Sequence, residues 1–229
     1  MVACEHGHLE CVQLLRGAGA DINQALNDGT TPLYIACQEG QLECARLLLE
    51  AGAAIDQADE QGATPLFAAC HFGHLEVAKL LSSYGASRAA TPFGTPEEVA
   101  TEEGHADLAA WLVASRGWTP LAHLETLTAA RALSLLRSGA SLHEGEPTPL
   151  QRAAGGEGEA AALIRRAAAP WSPASHSLFP AAAREYAVMV MRIGHQIALS
   201  PPDGAEARPD WSALSDVWRE HVLPHAVAR

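Results

Sequence analysis

The chain has 229 residues, 48% of them hydrophobic and 18% charged, which is enough apolar material for a packed core and argues against wholesale disorder. The formal net charge is −12, and residues 1–116 hold most of it, with 16 Asp or Glu against 5 Lys or Arg. An acidic surface of this kind repels phosphate backbones, so nucleic acid is a poor partner, and a basic or amphipathic protein segment is a better one.

From the N-terminus onward one period dominates. Thr31-Pro32-Leu33 recurs as Thr64-Pro65-Leu66, 33 residues later. Gly7, Gly40 and Gly73 follow the same interval, as do Gly19, Gly52 and Gly85, each followed by Ala. Cys4, Cys37 and Cys70 keep it too, and so do Cys11 and Cys44. Several independent markers on one interval indicate a stack of like units, each unable to bury its apolar face alone. Met1 aligns with Tyr34, so the first unit starts inside its first helix. A fragment, a truncated gene model or an unusual N-terminal cap would each account for that.

The unit at 59–85 shows how the pattern folds. Asp59 and Gly62 suit a tight turn. Thr64 is placed to cap a helix, and Pro65 sits at its first position, where a missing N–H costs nothing. A short helix through Phe67-Ala68-Ala69-Cys70-His71-Phe72 ends at Gly73. A second helix is expected over about 75–84, with Leu75, Ala78 and Leu81 on one face and Leu80 beside them.

Further units follow with altered lengths. Thr95-Pro96, Gly104-His105 and Trp111-Leu112-Val113 form a fourth, 31 residues after the third, with Glu97 where earlier units have Leu33 and Leu66. Thr119-Pro120-Leu121 leads to Leu135-Leu136 and Gly139-Ala140, and Thr148-Pro149-Leu150 leads to Leu163-Ile164. Both read as helix pairs. Trp171-Ser172-Pro173 and Phe179-Pro180 mark a loop, a helix is expected over Ala181–Ile197, and Pro201-Pro202-Asp203-Gly204 breaks the chain. Trp211, Leu214, Trp218 and Val222 give a last amphipathic stretch.

A turn, Thr-Pro-Leu, a short helix, Gly-His-Leu-Glu, Leu-Leu and Gly-Ala together resemble the ankyrin repeat, most specifically over residues 1–88. The resemblance implies an all-α helix-turn-helix solenoid with divergent C-terminal repeats and a helical cap. The organisation expected is ankyrin repeats over 1–116, the first truncated, divergent units over 117–169, a Trp-Ser-Pro loop and capping helix over 170–199, and a linker with an amphipathic helix over 200–229. The arrangement of Trp171-Ser172-Pro173, His176, Phe179-Pro180 and Arg184 is similar to a tail of some protist and large-virus ankyrin proteins.

The candidate chemistry is thin. Eleven His and five Cys invite a metal site, yet Cys37 and Cys70 share one small-residue slot that suits helix packing, and no Cys-x-x-Cys pair is present. There is no nucleophile elbow, no phosphate loop and no dinucleotide fingerprint. Gly155-Gly156-Glu157-Gly158 lies where a turn is expected. Glu102 and Glu103, adjacent on a helix, point in different directions and read as a solvated face. No enzyme activity, cofactor or metal is expected. No stretch approaches 18 uninterrupted apolar residues and no signal peptide is read, so the expected setting is intracellular, cytoplasmic or nuclear, with reduced cysteines and a monomeric chain.

The resemblance implies binding at turn tips and at the exposed ends of the first helices. The tips are Asn27, Asp28, Thr30, Glu60, Gln61 and Ala63. The helix-end positions are Glu5, His6, Gln38, Glu39, His71, Phe72, Glu102 and Glu103, with Tyr34 nearby. Their near-equal spacing predicts one stripe across the stack. The implied function is a scaffold or adaptor binding a protein on that face. The alternative is a substrate-recruiting subunit of a ubiquitin ligase that docks through the C-terminal helix, where Leu223-Pro224 lies.

Overall fold

The computed structural model describes residues 1–169, 175–185 and 188–189. These fall into two compact units, the first spanning Met1–Thr126 and the second starting at Leu127.

The first unit is built from helix pairs: α1 (Val2–Glu5) with α2 (Leu9–Gly17), α3 (Pro32–Gln38) with α4 (Leu42–Glu50), α5 (Pro65–His71) with α6 (Leu75–Ser83), and α7 (Pro96–Glu102) with α8 (Ala106–Ala114). First helices stack on first helices, α1 on α3, α3 on α5 and α5 on α7, and second helices α2, α4 and α6 stack in parallel with them. This is the all-helical solenoid that the period of 33 implies.

Local chemistry sets each start and stop. The Thr31 hydroxyl accepts the Tyr34 N–H at 3.1 Å, and the Thr64 hydroxyl accepts the Phe67 N–H at 3.2 Å. Each cap is followed by Pro at the first helical position. Leu33 and Leu66, next in each helix, are buried beside Leu80, Leu81, Leu108 and Leu112 in one continuous core. Each such Leu contributes about 1.5–3 kcal/mol relative to an exposed side chain.

The fourth pair keeps its short helix although Glu97 replaces that Leu. Thr95 and Glu98 form a reciprocal capping box, with bonds of 3.3 and 2.8 Å. The Glu97 side chain is 14% exposed and lies 3.6 Å from the Arg116 guanidinium. Its charge also favours the protonated form of Arg88, against the lowering that burial imposes on that guanidinium. A carboxylate in a former Leu slot is tolerated because two arginines face it.

One expectation needs correction. The unit at Thr119-Pro120-Leu121 is not a helix pair. Pro120–Ala122 is a single 3-10 turn, the Thr119 side chain makes no cap, and the next helix is α9 (Ala129–Arg137), which starts at the Thr128 cap. Leu121 and Ala122 are buried all the same, so the turn keeps the packing of a first helix without its length. Cys11 is exposed although its periodic equivalent Cys44 is buried. The same contrast separates Leu14, 74% exposed, from Leu47, because in the described chain nothing stacks on the outer side of α2.

The second unit contains α9, α10 (Pro149–Gly155) and α11 (Glu159–Ala168). Thr148 and Gln151 box the start of α10, and Arg165 donates to the Ala153 and Gly156 carbonyls at its end. The Gly-rich stretch 155–158 is therefore a helix-to-helix connection. Ala132, Leu136, Ala153, Ala161 and Ile164 are buried, as are Leu178 and Phe179, and the Arg137 Nε donates to the Ser177 carbonyl at 3.0 Å. Residues 181–185 and 188–189 are helical, in line with the start of the helix expected there. The Trp-Ser-Pro loop at 171–173, the remainder of the helix to Ile197 and the amphipathic stretch from Trp211 to Leu223-Pro224 lie outside the described residues.

Candidate partner-binding face

The stripe read from the sequence starts where first helices end, and a hydrogen-bond ladder holds those ends. The carbonyls of Glu5, Gln38 and His71 accept bonds from side chains of the next unit: Gln41 Nε2 at 3.1 Å, His74 Nε2 at 2.9 Å and His105 Nε2 at 3.0 Å. The glycines at 7, 40 and 73 make this approach possible. A β-carbon on Gly40 would fall 2.6 Å from the His74 ring, and one on Gly73 would fall 2.5 Å from the His105 ring. Both glycines have positive φ.

The turn tips form a second register. Leu26 to Thr30 and Asp59 to Ala63 are tight turns closed by backbone bonds, and Glu60 N–H donates to the Asp28 carbonyl at 2.9 Å, tying one tip to the next. Asp28 also accepts the Thr30 N–H at 3.0 Å, and this bonding holds its carboxyl below the usual range. The third tip is shorter: Thr91 pairs with Gly94 in an isolated bridge.

On this frame the expected residues separate. Asn27, Asp28, Glu60 and Gln61 are exposed, and Thr30 is partly so. Ala63 is not a tip residue. It is buried at the base of its turn, where its N–H reaches the Asp59 carboxylate at 2.9 Å and its carbonyl accepts the Asp59 N–H. Tyr34 is half-buried, and its phenol is pushed up first by that burial and then by the Asp59 and Asp28 carboxylates. Glu5, His6 and Glu39 are exposed and Gln38 partly so, with the Gln38 amide on the Glu39 carboxylate at 2.8 Å.

At the end of α5 the structure brings three of the expected residues together. His71 Nδ1 lies 3.1 Å from Glu103 Oε1. The Phe72 ring meets the His71 ring edge-on, with centroids 4.8 Å apart, and is 47% exposed. Glu102 stands exposed beside Glu103.

Two members of this cluster are absent from the sequence reading. Phe67 stacks on His71 at 5.8 Å, and Phe93, at the third tip and 45% exposed, meets Phe67 at 5.0 Å. Phe67 was within reach, since it stands 33 residues after Tyr34. Phe93 has no periodic counterpart, because the turn that carries it is two residues shorter.

Burial governs the thiols. Cys37 lies fully inside the stack and its thiol is pushed well up by burial; the Cys70 thiol is pushed up to about 12 for the same reason. They behave as small apolar side chains. Among the described residues, no three His, Cys, Asp or Glu gather as a metal site would require, and no helix is long and apolar enough to cross a membrane.

A family model described as ankyrin repeats, in three copies, matches residues 1–92. Among curated proteins none matches the chain. Repeats of this family generally mediate protein–protein interaction. The interval of 33, the Thr-Pro caps, the stacked helix pairs and the family match coincide on one stretch of chain, and residues 1–92 carry three ankyrin repeats.

Proposed function

We propose that the chain is a scaffold or adaptor, not an enzyme, and that it binds another protein on the face formed by the turn tips and the ends of the first helices. The observation that carries this reading is the aromatic cluster Phe67, His71, Phe72 and Phe93. Two of its rings are nearly half exposed, and the Glu103 carboxylate meets it at His71 with exposed Glu102 next to it in the chain. Exposed aromatic side chains within a polar rim are what interface hot spots are made of. The partner segment is basic or amphipathic, because the half of the chain that presents this face carries −11 of the net charge. The expected setting remains intracellular, with the chain acting as a monomer.

Photo-crosslinking tests the face directly. A photoreactive amino acid placed at position 72 or 93 should trap a partner protein in cells. The same group at position 79, on the second-helix side, should not. Adducts formed from position 79 and absent from 72 and 93 would refute the reading.

A further inference from the structure

We propose that the anchor recognised at this face is an arginine side chain of the partner, seated against Phe72 and paired with Glu103. This rests on the face being the binding surface. It goes further by assigning one side-chain chemistry to one place.

The argument begins with where the positive charges of the first unit already are. Lys79 pairs with Glu76 at 2.7 Å and Arg46 with Glu43 at 3.5 Å, both within second helices. Arg116 faces Glu97. Arg88 is drawn inside, donating to the Leu112 carbonyl, the Ser82 hydroxyl and the Ser115 hydroxyl, each at 3.0 Å, with its guanidinium over the Trp111 ring. Four of the five basic residues of 1–116 are thus engaged away from the tip and helix-end stripe. The stripe itself carries Glu39, Glu60, Glu102 and Glu103, and the contacts found for Glu39 and Glu103 are to the Gln38 amide and the His71 imidazole. Among the contacts of residues 1–116 no Lys or Arg pairs with these carboxylates, so the balancing cation is assigned to a partner.

The surroundings of Glu103 then choose between cations. Its carboxylate lies at the edge of an aromatic group in which His71 stacks on Phe67 and meets Phe72 edge-on. A planar guanidinium can stack on an exposed ring and still direct two N–H groups at a carboxylate. A lysine ammonium is a compact, strongly hydrated charge with no plane to stack. The protein shows the same preference internally, where Arg88 rests on Trp111 at 5.3 Å. Phe93, reaching in from the next turn, extends the apolar surface beside the anchor and suits aliphatic neighbours in the partner segment.

The probe is a set of five-residue acetylated, amidated peptides of sequence Ala-Leu-X-Leu-Ala, with X being arginine, lysine, citrulline or leucine. Each is titrated into the isotope-labelled full chain and followed by NMR. With arginine at X, shifts should centre on His71, Phe72, Phe93 and Glu103, and the citrulline and lysine peptides should bind about two- to fivefold more weakly. The advantage of arginine over citrulline should shrink in Glu103→Gln, and all binding at this place should fall in Phe72→Ala. Equal shifts from the arginine, citrulline and leucine peptides at these residues would overturn the arginine anchor while leaving the face as a binding surface. Shifts from the arginine peptide located elsewhere, or none, would also overturn it, and the crosslinking pattern from positions 72 and 93 would then judge the face by itself.

Discussion

The Nε2 of His105 lies 3.0 Å from the carbonyl oxygen of His71, and this bond joins the end of one first helix to the start of the next second helix. It is the last rung of a ladder whose lower rungs are His74 on Gln38 and Gln41 on Glu5. A second ladder runs along the loops after the second helices. Asn23 Oδ1 accepts the Ala54 N–H and Asp56 Oδ1 accepts the Ser87 N–H, both at 2.8 Å. Each rung pairs a polar side chain of one unit with backbone of its neighbour, which sets register in a stack otherwise held by non-directional apolar contact.

The ladder yields a stability comparison between two glycines. Gly52 and Gly73 both have positive φ, so a side chain costs about 1–2 kcal/mol at either from backbone strain. At Gly52 nothing lies within 4 Å of an added β-carbon, whereas at Gly73 it meets the His105 ring at 2.5 Å. Gly73→Ala should therefore lower the denaturant midpoint more than Gly52→Ala, and the excess should disappear in a His105→Ala background. Equal midpoints for the two glycine variants would show the rung to be loose.

Leu48→Ala tests the stack itself. Leu48 lies near the end of α4 and is buried in the continuous core. The loss should be about 2–5 kcal/mol by chemical denaturation, as for other buried Leu truncations. Leu14→Ala, at an exposed position of α2, should change stability little, within about 0.5 kcal/mol.

Acid stability should depend on Glu98. Its carboxyl is held below the usual range by the Thr95 N–H and then by the Thr95 hydroxyl. A group whose folded-state pKa is depressed contributes stability above its unfolded value and loses it as pH falls through the folded one. The contribution is thus complete at neutral pH and fades on the acid side of the normal carboxylate range. Glu98→Gln keeps a capping amide but removes the ionisation, so its unfolding midpoint should vary less steeply with pH in that window. Identical acid limbs for the variant and the parent would contradict this.

The thiols should separate by reactivity. Cys11 is exposed, while Cys4, Cys37, Cys44 and Cys70 are buried, and burial raises the thiols of all four. Iodoacetamide at about pH 8 should label Cys11 first in the native chain, because the thiolate is the reactive form. Mass spectrometry should find one fast adduct, and four more after denaturation. Rapid native labelling of Cys37 would mean that the stack opens.

At the binding face, Phe72→Ala should weaken a captured partner most, through faster dissociation, because a central aromatic anchor outweighs rim charges. Glu102→Lys with Glu103→Lys should mainly slow association, and the effect should shrink with salt, since exposed charges are screened within about 10 Å at 0.1 M. Both sets leave the core untouched. Binding kinetics at two salt concentrations check this, and unchanged rates for both variants would move the site elsewhere.

The amino-acid sequence by itself determined the repeat, its interval and the ends of its helices. Those depend on local chemistry: a Thr hydroxyl reaching its own third N–H, a Pro whose φ suits a first turn, a glycine free to take positive φ. Each acts within a few residues, so each is legible in the chain. The recurrence of the helix ends was legible for a related reason, because equal spacing in a periodic chain repeats the same place in each helix pair. Tertiary structure alone decided what depends on neighbours. Ala63 is buried within the stack although it belongs to a turn, and Cys11 is exposed because α2 lacks the cover that α4 has. Pro120–Ala122 remains one turn of 3-10 helix where the same Thr-Pro-Leu words earlier begin full helices. Glu97 occupies a Leu position because Arg116 and Arg88 come near it from residues distant in the chain. Phe93 joins Phe67 because a shortened turn swings it onto the preceding unit. Packing and electrostatic contacts at a few ångströms decide these outcomes, and such distances between residues far apart in sequence exist only once the chain has folded.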